Sequence, residues 1–381
     1  MNFDSISEEF QTDKTYLNNA SVSVMPKTSI ESMKQFLIDY SEMGPDSPES
    51  EIFIKGLWEK TRTSIAKVVK CNPDEIIITQ SVTDGINIVA NGMKFENDSN
   101  IIIRGGEHEH HANYFPWLKL QKKIDVRSLP VDENGGFEYS DLKKVLDEKT
   151  KLVALSHGLY NSGLILPVKE IGKELQKENI PYFLDTAQTV GCIGEFDFVD
   201  TGCDFMSFNG SKWLCGPMGT GVFYCKRESS DLLEPSSIGG ETAETNENGE
   251  LTYKELPDRF QAGFRNYVGL AGMESSVTFL QNLGLNNIRN YIIKLSNLFI
   301  DEIGKIPDAR VFGPEDESQR TSIVSFEIGK NDPEKVVSLL AEKGIIIAKR
   351  EIFDKSILRI SPHIFNTEEQ ILKLVEELRR L

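Results

Sequence analysis

Short apolar runs alternate with amphipathic stretches along most of this chain. Runs of four to seven residues rich in Ile, Val, Leu and Phe predict buried strands over 75–79, 100–105, 124–130, 151–156, 182–185, 204–208 and 221–225. Between them, apolar residues at three- and four-residue spacing predict helices over 29–40, 50–69, 83–90 and 140–146, and another after Pro167. The first of these carries Ile30, Met33, Phe36, Leu37 and Tyr40 on one face and stops at Gly44-Pro45-Asp46-Ser47-Pro48. Strand followed by helix, repeated, is the pattern of a mostly parallel sheet covered on both faces. The remainder predicts a smaller unit, with helices over 271–281, 288–303, 333–343 and 368–380 and strands over 310–312, 322–328, 345–348 and 358–361. Thr367 and Gln370 form a capping box for the last helix. The expected organisation is a large domain over 16–265, with 1–15 and 266–381 forming a smaller one. Residues 228–258 and 349–355 read as loops.

Two strand ends carry candidate chemistry. The run 182–185 ends on Asp185, and the run 204–208 passes through Asn209-Gly210-Ser211 to Lys212. Open α/β sheets bind ligands at the carboxyl ends of their strands, so both groups stand where a ligand belongs. A lysine among Trp213, Leu214 and other apolar neighbours is poorly solvated, which lowers its pKa and makes its amine a nucleophile able to form a Schiff base. A carboxylate at a neighbouring strand end is the partner that the pyridine nitrogen of pyridoxal phosphate (PLP) requires. Taken singly, each has an ordinary reading: a solvated loop lysine and a helix-capping Asp. The spacing of 181–225 and matching pieces elsewhere set the pair apart. At 79–87, hydroxyl residues open a helix whose amides and dipole suit a phosphate. The same residues, Ser81 with Asp84, equally make a plain capping box. After the strand 100–105 comes Glu107-His108-Glu109-His110-His111, which lacks the helical spacing and third ligand of a zinc site, so no metal is expected.

Asp185-Thr-Ala-Gln188, Ser207-Phe-Asn-Gly-Ser-Lys212-Trp and Gly216-Pro-Met-Gly-Thr-Gly221 together resemble the class V aminotransferase family of PLP enzymes, in particular its cysteine desulfurase and C–S lyase branch. The likeness runs from Tyr16 to the last helix. It implies the PLP-dependent transferase type I fold: α/β, with a large, mostly parallel seven-stranded sheet domain and a smaller α/β carboxyl-terminal domain. It implies that Lys212 is joined to the cofactor, that Asp185 faces the ring nitrogen, and that His110 stacks on the pyridine ring and relays a proton. The phosphate falls to Val82, Thr83 and Asp84 with Asn209 and Ser211. Ala187 packs under the ring, and Gln188 reaches its phenolic oxygen. Toward the substrate, the resemblance implies Asn19 and Ala20, either Tyr160 or Asn161, and Arg359 as the bidentate partner of the α-carboxylate. It also implies a homodimer with active sites near the interface, with Ser237-Ile-Gly239-Gly240 near the dimer contact. Four positions depart from the family pattern. Tyr160 stands where family members place an Asn that bonds the PLP phenolic oxygen, with Asn161 one step later. Val82 stands where a hydroxyl is common, and Ser211 where desulfurases carry His. Phe264 stands where a Thr touches the partner subunit's phosphate, with Arg265 beside it as a replacement anion contact or a surface ion pair.

Composition narrows the classes. A formal net charge of −17 over 381 residues lacks the basic face of a nucleic-acid binder. No apolar run approaches a membrane span, and the amino terminus does not look like a signal peptide. Five cysteines without CxxC spacing read as reduced thiols of a cytoplasmic protein. Desulfurases place a mobile-loop cysteine shortly before the carboxylate-binding arginine, yet none occurs here between Arg310 and Arg359. The expected reaction is therefore β-elimination of the C–S lyase type on a small amino acid such as cysteine or cystine. The alternatives are a transaminase, a desulfurase with an unconventional thiol such as Cys215, and a PLP-fold scaffold without activity.

Overall fold

The computed structural model describes residues 6–105, 109–263, 265–352 and 354–381. Seven strands form the central sheet: β1 (Ile76–Thr79), β2 (Asn100–Arg104), β3 (Asp125–Leu129), β4 (Thr150–Ser156), β5 (Tyr182–Asp185), β6 (Phe205–Asn209) and β7 (Gly221–Cys225). Their spatial order is β1-β7-β6-β5-β4-β2-β3, and only β7 runs antiparallel to its neighbours. This is the large, mostly parallel seven-stranded α/β architecture expected from the alternating runs. Because successive side chains point to opposite faces, each strand feeds two cores. Ile76, Ile78, Leu155, Leu184 and Phe208 pack on one face, and Ile77, Ile101, Ala154, Phe183 and Phe205 on the other. Burial on both sides explains why these strands read as continuous apolar runs.

The first face is covered by helices α2 (Pro48–Val69) and α4 (Val168–Lys177) and the second by α3 (Val82–Gly92), while α1 (Lys27–Met43) contacts α2. The helix α5 (Tyr267–Leu283) packs against α1 and α2 and buries Leu270, Met273, Val277 and Leu280 in the core of the large sheet. From the sequence, α5 belongs with the smaller domain. The smaller core instead starts at Leu295 on α6 (Leu285–Ile303) and draws in Leu17 from the amino-terminal segment. That segment pairs Thr15 with Ile345 and Tyr16 with Ile346, and it bridges Asn18 to Ser361.

The smaller domain holds a four-stranded antiparallel sheet of β8 (Ala309–Phe312), β9 (Val324–Ile328), β10 (Ala348–Ile352) and β11 (Lys355–Ile360), in the order β8-β9-β11-β10. Helices α7 (Pro333–Glu342) and α8 (Glu368–Leu378) cover it, and Thr367 and Gln370 make the expected capping box. The stretch 349–355, read as a loop from sequence, is largely strand: β10 and β11 form a hairpin with Ile352 opposite Lys355. Within 228–258, Ala243–Thr245 and Leu251–Tyr253 pair as a second short hairpin.

Candidate active site

The carboxyl ends of β2, β4, β5 and β6 lie side by side, with Ser156 opposite Asp185 and Asp185 opposite Ser207. Lys212 follows β6 on a tight turn: Gly216 N–H donates to Gly210 O at 2.8 Å, and Cys215 N–H to Lys212 O at 3.0 Å. Glycine is required at 210, because a Cβ there would stand 2.3 Å from Thr220 Oγ1 and 2.6 Å from Met273 Sδ. The turn holds the Lys212 amine where water is scarce. Its pKa falls to about 8, chiefly by desolvation and further by the cations Arg359 and Arg350, against the pull of Asp185. Asp185 is 6% exposed, and burial raises its carboxyl to about 6. Its Oδ1 accepts from Ala187 N–H at 2.9 Å. Among the described residues its Oδ2 takes no hydrogen bond, and the Lys212 amine makes none either.

His110 lies outside the sheet, its ring open to solvent on one side and edge-on to Tyr160 at 5.0 Å. Its Nδ1 accepts from Ala112 N–H at 3.2 Å, leaving Nε2 to carry the ring proton. Desolvation, then Lys212, His111, Arg350 and Arg359, push this imidazole down to about 4, so it is neutral at physiological pH. His108 and Glu107 of the same run lie outside the described residues, as does Phe264. Among the described residues, no three His, Cys, Asp or Glu side chains group to hold a metal ion.

The start of α3 forms the cap that the sequence allowed. Ser81 caps the helix by accepting from Asp84 N–H at 3.3 Å, and Val82 N–H donates to Asn209 Oδ1 at 3.0 Å. Asp84 Oδ2 accepts from Gln80 N–H. The amide and hydroxyl of exposed Thr83 remain at the positive end of the helix. Ser211 follows Asn209 on the adjacent turn. Arg265, its Nε buried without a partner, lines a cavity of about 340 Å³ together with Thr79, Gln80 and Asp84. Gln188 is tied to the Lys212 turn: its Oε1 accepts from Trp213 Nε1 at 2.9 Å, and its Nε2 donates to Ala20 O at 3.0 Å. Ala187 is buried under the strand ends.

Arg359, on β11, is 1% exposed. Its Nη1 donates to Tyr160 O at 2.7 Å, and its Nη2 to Asn18 Oδ1 at 3.0 Å and Ser21 Oγ at 2.8 Å, while Nε has no partner. Of the amino-terminal pair expected near the substrate, Asn19 is fully buried against Ser361 and Ser23, and Ala20 N–H donates to Ser361 Oγ. Asn18 and Ser21, which flank that pair, are the ones that reach Arg359. Asn161 turns to the hairpin, donating to Glu351 O at 3.0 Å, while the Tyr160 ring stays beside His110.

Sequence reasoning missed Arg350. It stands on β10, and its Nη2 donates to the same Ser21 Oγ that Arg359 holds. The alternation Ala348, Arg350, Ile352 opposite Lys355, Ile357, Arg359 was the available signal, obscured by reading 349–355 as a loop. No thiol joins this group. Cys215, the cysteine nearest Lys212 in sequence, is wholly buried against Ser23 and His363, and burial pushes it up to about 12. Cys192 and Cys203 are likewise buried and raised, to about 11 and 12, and Cys71 and Cys225 are raised too.

The chain is 29% identical to a probable cysteine desulfurase of Methanothermobacter thermautotrophicus, across 97% of this chain and 95% of that protein. Its fold matches the apo structure of a cysteine desulfurase from Thermococcus onnurineus with a TM-score of 0.89 and 26% identity, over 97% of this chain and 94% of that one. It also matches the cystine C–S lyase C-DES in complex with its product cysteine persulfide, with a TM-score of 0.87 and 26% identity over 97% and 98% of the two chains. Another structure of C-DES, a variant with glycine covalently linked to its PLP cofactor, matches at 25% identity and a TM-score of 0.88 over 98% of both chains. The sequence profile of the aminotransferase class-V family extends over residues 15–374, and with these strand ends in place the chain belongs to that family.

Proposed function

We propose that this protein is a PLP-dependent enzyme that eliminates the sulfur-bearing β-substituent of a small amino acid. The observation that carries this reading is the β10–β11 hairpin. It brings two arginines and no thiol toward Lys212, in the stretch where desulfurases carry a cysteine on a mobile loop.

The donor set fits PLP. A buried carboxylate with an uncommitted oxygen suits a protonated ring nitrogen, and an amine of lowered pKa suits an aldehyde. For the phosphate, the Thr83 amide and hydroxyl, Ser211 and the Asn209 amide group offer donors, with Val82 and Asp84 shaping the turn. When bound, PLP supplies an aldehyde for the substrate's amine and a ring that takes up the electron pair left at Cα. The rest is done by the chain's own side chains. Arg359 pairs with the α-carboxylate, with Asn18 and Ser21 fixing the guanidinium. The Lys212 amine takes the Cα proton as the Cβ–S bond breaks and its electron pair leaves on sulfur. His110 would stack on the ring with its Nε2–H available to relay a proton, and Tyr160, edge-on to it at 5.0 Å, would bound the substrate side. The released enamine hydrolyses to pyruvate and ammonia.

Arg350 adds a second guanidinium, which favours a substrate whose leaving group is itself acidic, as the far half of a cystine is. Exposed Met218 precedes Gly219, whose O accepts from Asn266 Nδ2 at 3.3 Å, and exposed Ile238 precedes Gly239; we read the two side chains as part of a homodimer contact, to be seen as twice the chain mass by light scattering. Five unpaired cysteines suit a reducing cytoplasm.

The test is a panel of cystine, cysteine and other amino acids, with and without a keto acid, followed by cofactor absorbance and product analysis. Pyruvate and ammonia released without keto acid, fastest from cystine, is the expected result. Strict dependence on a keto acid would make it a transaminase, and alanine with sulfane sulfur a desulfurase. Lys212→Ala should lose turnover by a factor on the order of a thousand or more. It should also retain no cofactor after borohydride treatment, read by mass spectrometry.

A further inference from the structure

One buried ion pair beside the site has no role in the mechanism so far. Arg104, at the end of β2, and Glu109 are 1% and 2% exposed and meet at 3.1 Å. Removing both charges from water costs several kcal/mol, so a merely structural pair is a poor use of this position. The contacts of Glu109 point elsewhere. Its Oε1 accepts from His110 N–H at 2.8 Å and from Ser156 Oγ at 2.8 Å. Ser156 stands opposite Asp185 in the sheet, and its Oγ also accepts from Asn113 Nδ2, which fixes the short turn that follows His110. Arg104 in turn donates to Gly135 O at 2.9 Å, anchoring the pair to the loop after β3.

We propose that Glu109, held by Arg104, is a positioning residue with two effects: it fixes His110 over the cofactor ring, and it places a second negative charge behind Asp185. This inference rests on the reading that PLP lies between His110 and Asp185. The hydrogen bonds to the His110 amide and Ser156 Oγ carry the first effect. The second follows from the shared sheet edge. Lys212 and Glu109 both act on Asp185, with opposite signs: the lysine lowers its pKa and the carboxylate raises it. Lys212, His111, Arg350 and Arg359 act on His110, each lowering its pKa. Glu109 is thus a fixed anion at a site otherwise dominated by cations, and it helps hold the ring nitrogen protonated.

The experiment compares Glu109→Gln, Glu109→Asp and Ser156→Ala with the unaltered holoprotein. Its readouts are the pH midpoint of the bound cofactor's absorbance change, cofactor affinity by titration of the cofactor-free protein, and kcat against KM. Glu109→Gln removes the charge, and the midpoint should fall by about one pH unit. Its kcat should drop on the order of tenfold with KM for the amino acid nearly unchanged. Glu109→Asp should restore the midpoint but not kcat, because the shorter side chain keeps the charge and loses the grip on His110. Ser156→Ala, which leaves the pair intact, should keep the midpoint. If Glu109→Gln cannot fold beside the retained Arg104 charge, the double variant Arg104→Met/Glu109→Gln removes both charges, and it should show the lowered kcat with a smaller shift of the midpoint. A midpoint and kcat in the Gln variants within error of the unaltered protein overturn the inference while the PLP reading stands. Absence of any cofactor band in the unaltered protein overturns both.

Discussion

At the scale of single residues, the site keeps its charges in the less comfortable state. Asp185 is the clearest case: burial holds its carboxyl near 6, above its ordinary 3.8. A raised carboxyl pKa means that the folded chain binds this proton more tightly than the unfolded chain does. The associated stability is present below the unfolded pKa and is lost as pH rises through about 6. At neutral pH the cofactor-free protein therefore carries a destabilising charge, worth about 2–3 kcal/mol at full ionisation. Asp185→Asn keeps the shape and removes the charge. In thermal unfolding without cofactor it should melt higher than the parent at pH 7.5, by a margin that shrinks toward pH 5, while turnover is lost. A pH-independent margin would mean that Asp185 is not ionised in the folded chain. Residues of this kind were legible in the sequence, because strand-end position and apolar neighbours are local facts. Asn18, Ser21 and Arg350 were not, because each acquires its place from a partner more than 300 residues away: Asn18 and Ser21 meet Arg359, and Arg350 meets Ser21.

At the scale of elements, the strands and helices of the large sheet could be read because each is a run with its own periodicity. The β10–β11 hairpin could not. It is short, its charged residues alternate with apolar ones, and its pairing shows only in register. The turn before α3 has the opposite character: its sequence admitted both a cap and a phosphate cradle, and its geometry accommodates both. What fixes its position is Gly221, the first residue of β7, which lies between Thr79 and Asn209. A Cβ on Gly221 would stand 2.6 Å from the backbone N and Cα of Ser81. Gly221→Ala should therefore push the start of α3 off Asn209 and break the Val82–Asn209 hydrogen bond. We expect a stability loss of about 1–3 kcal/mol. We also expect roughly tenfold weaker PLP binding, measured by absorbance titration alongside chemical denaturation. Stability lost with affinity unchanged would show that the α3 turn does not hold the phosphate.

At the scale of the whole molecule, the domains are joined through buried polar groups rather than through apolar packing alone. Asn366, 1% exposed, is the centre of this seam. Its Oδ1 accepts from His363 N–H and faces Asn19 Nδ2, while its Nδ2 donates to Tyr16 O and Gln370 Oε1. From Asn19 the network passes through Ser23 to the turn carrying Lys212, since Ser23 N–H donates to Ser211 O at 2.8 Å. His363 reaches the same turn by stacking on Trp213 and approaching its carbonyl at 3.2 Å. The segment that orients Arg359, the domain that presents it and the lysine opposite are thus tied together at one amide. Asn366→Ala leaves Tyr16 O and His363 N–H buried without that partner, which costs about 1–3 kcal/mol for each unsatisfied group. Because Asn18 and Ser21 are carried on the freed segment, Arg359 should also lose its fixed orientation. The expected kinetic signature is a KM raised several-fold with a smaller fall in kcat, since the lost interaction is with the bound carboxylate and not with the breaking bond. Steady-state kinetics with the best amino acid of the panel, at a temperature well below the variant's own unfolding, separates this from simple instability. A variant that melts earlier but keeps its KM would make the seam a scaffold only, with the arginine held by Tyr160 and the strand beneath it.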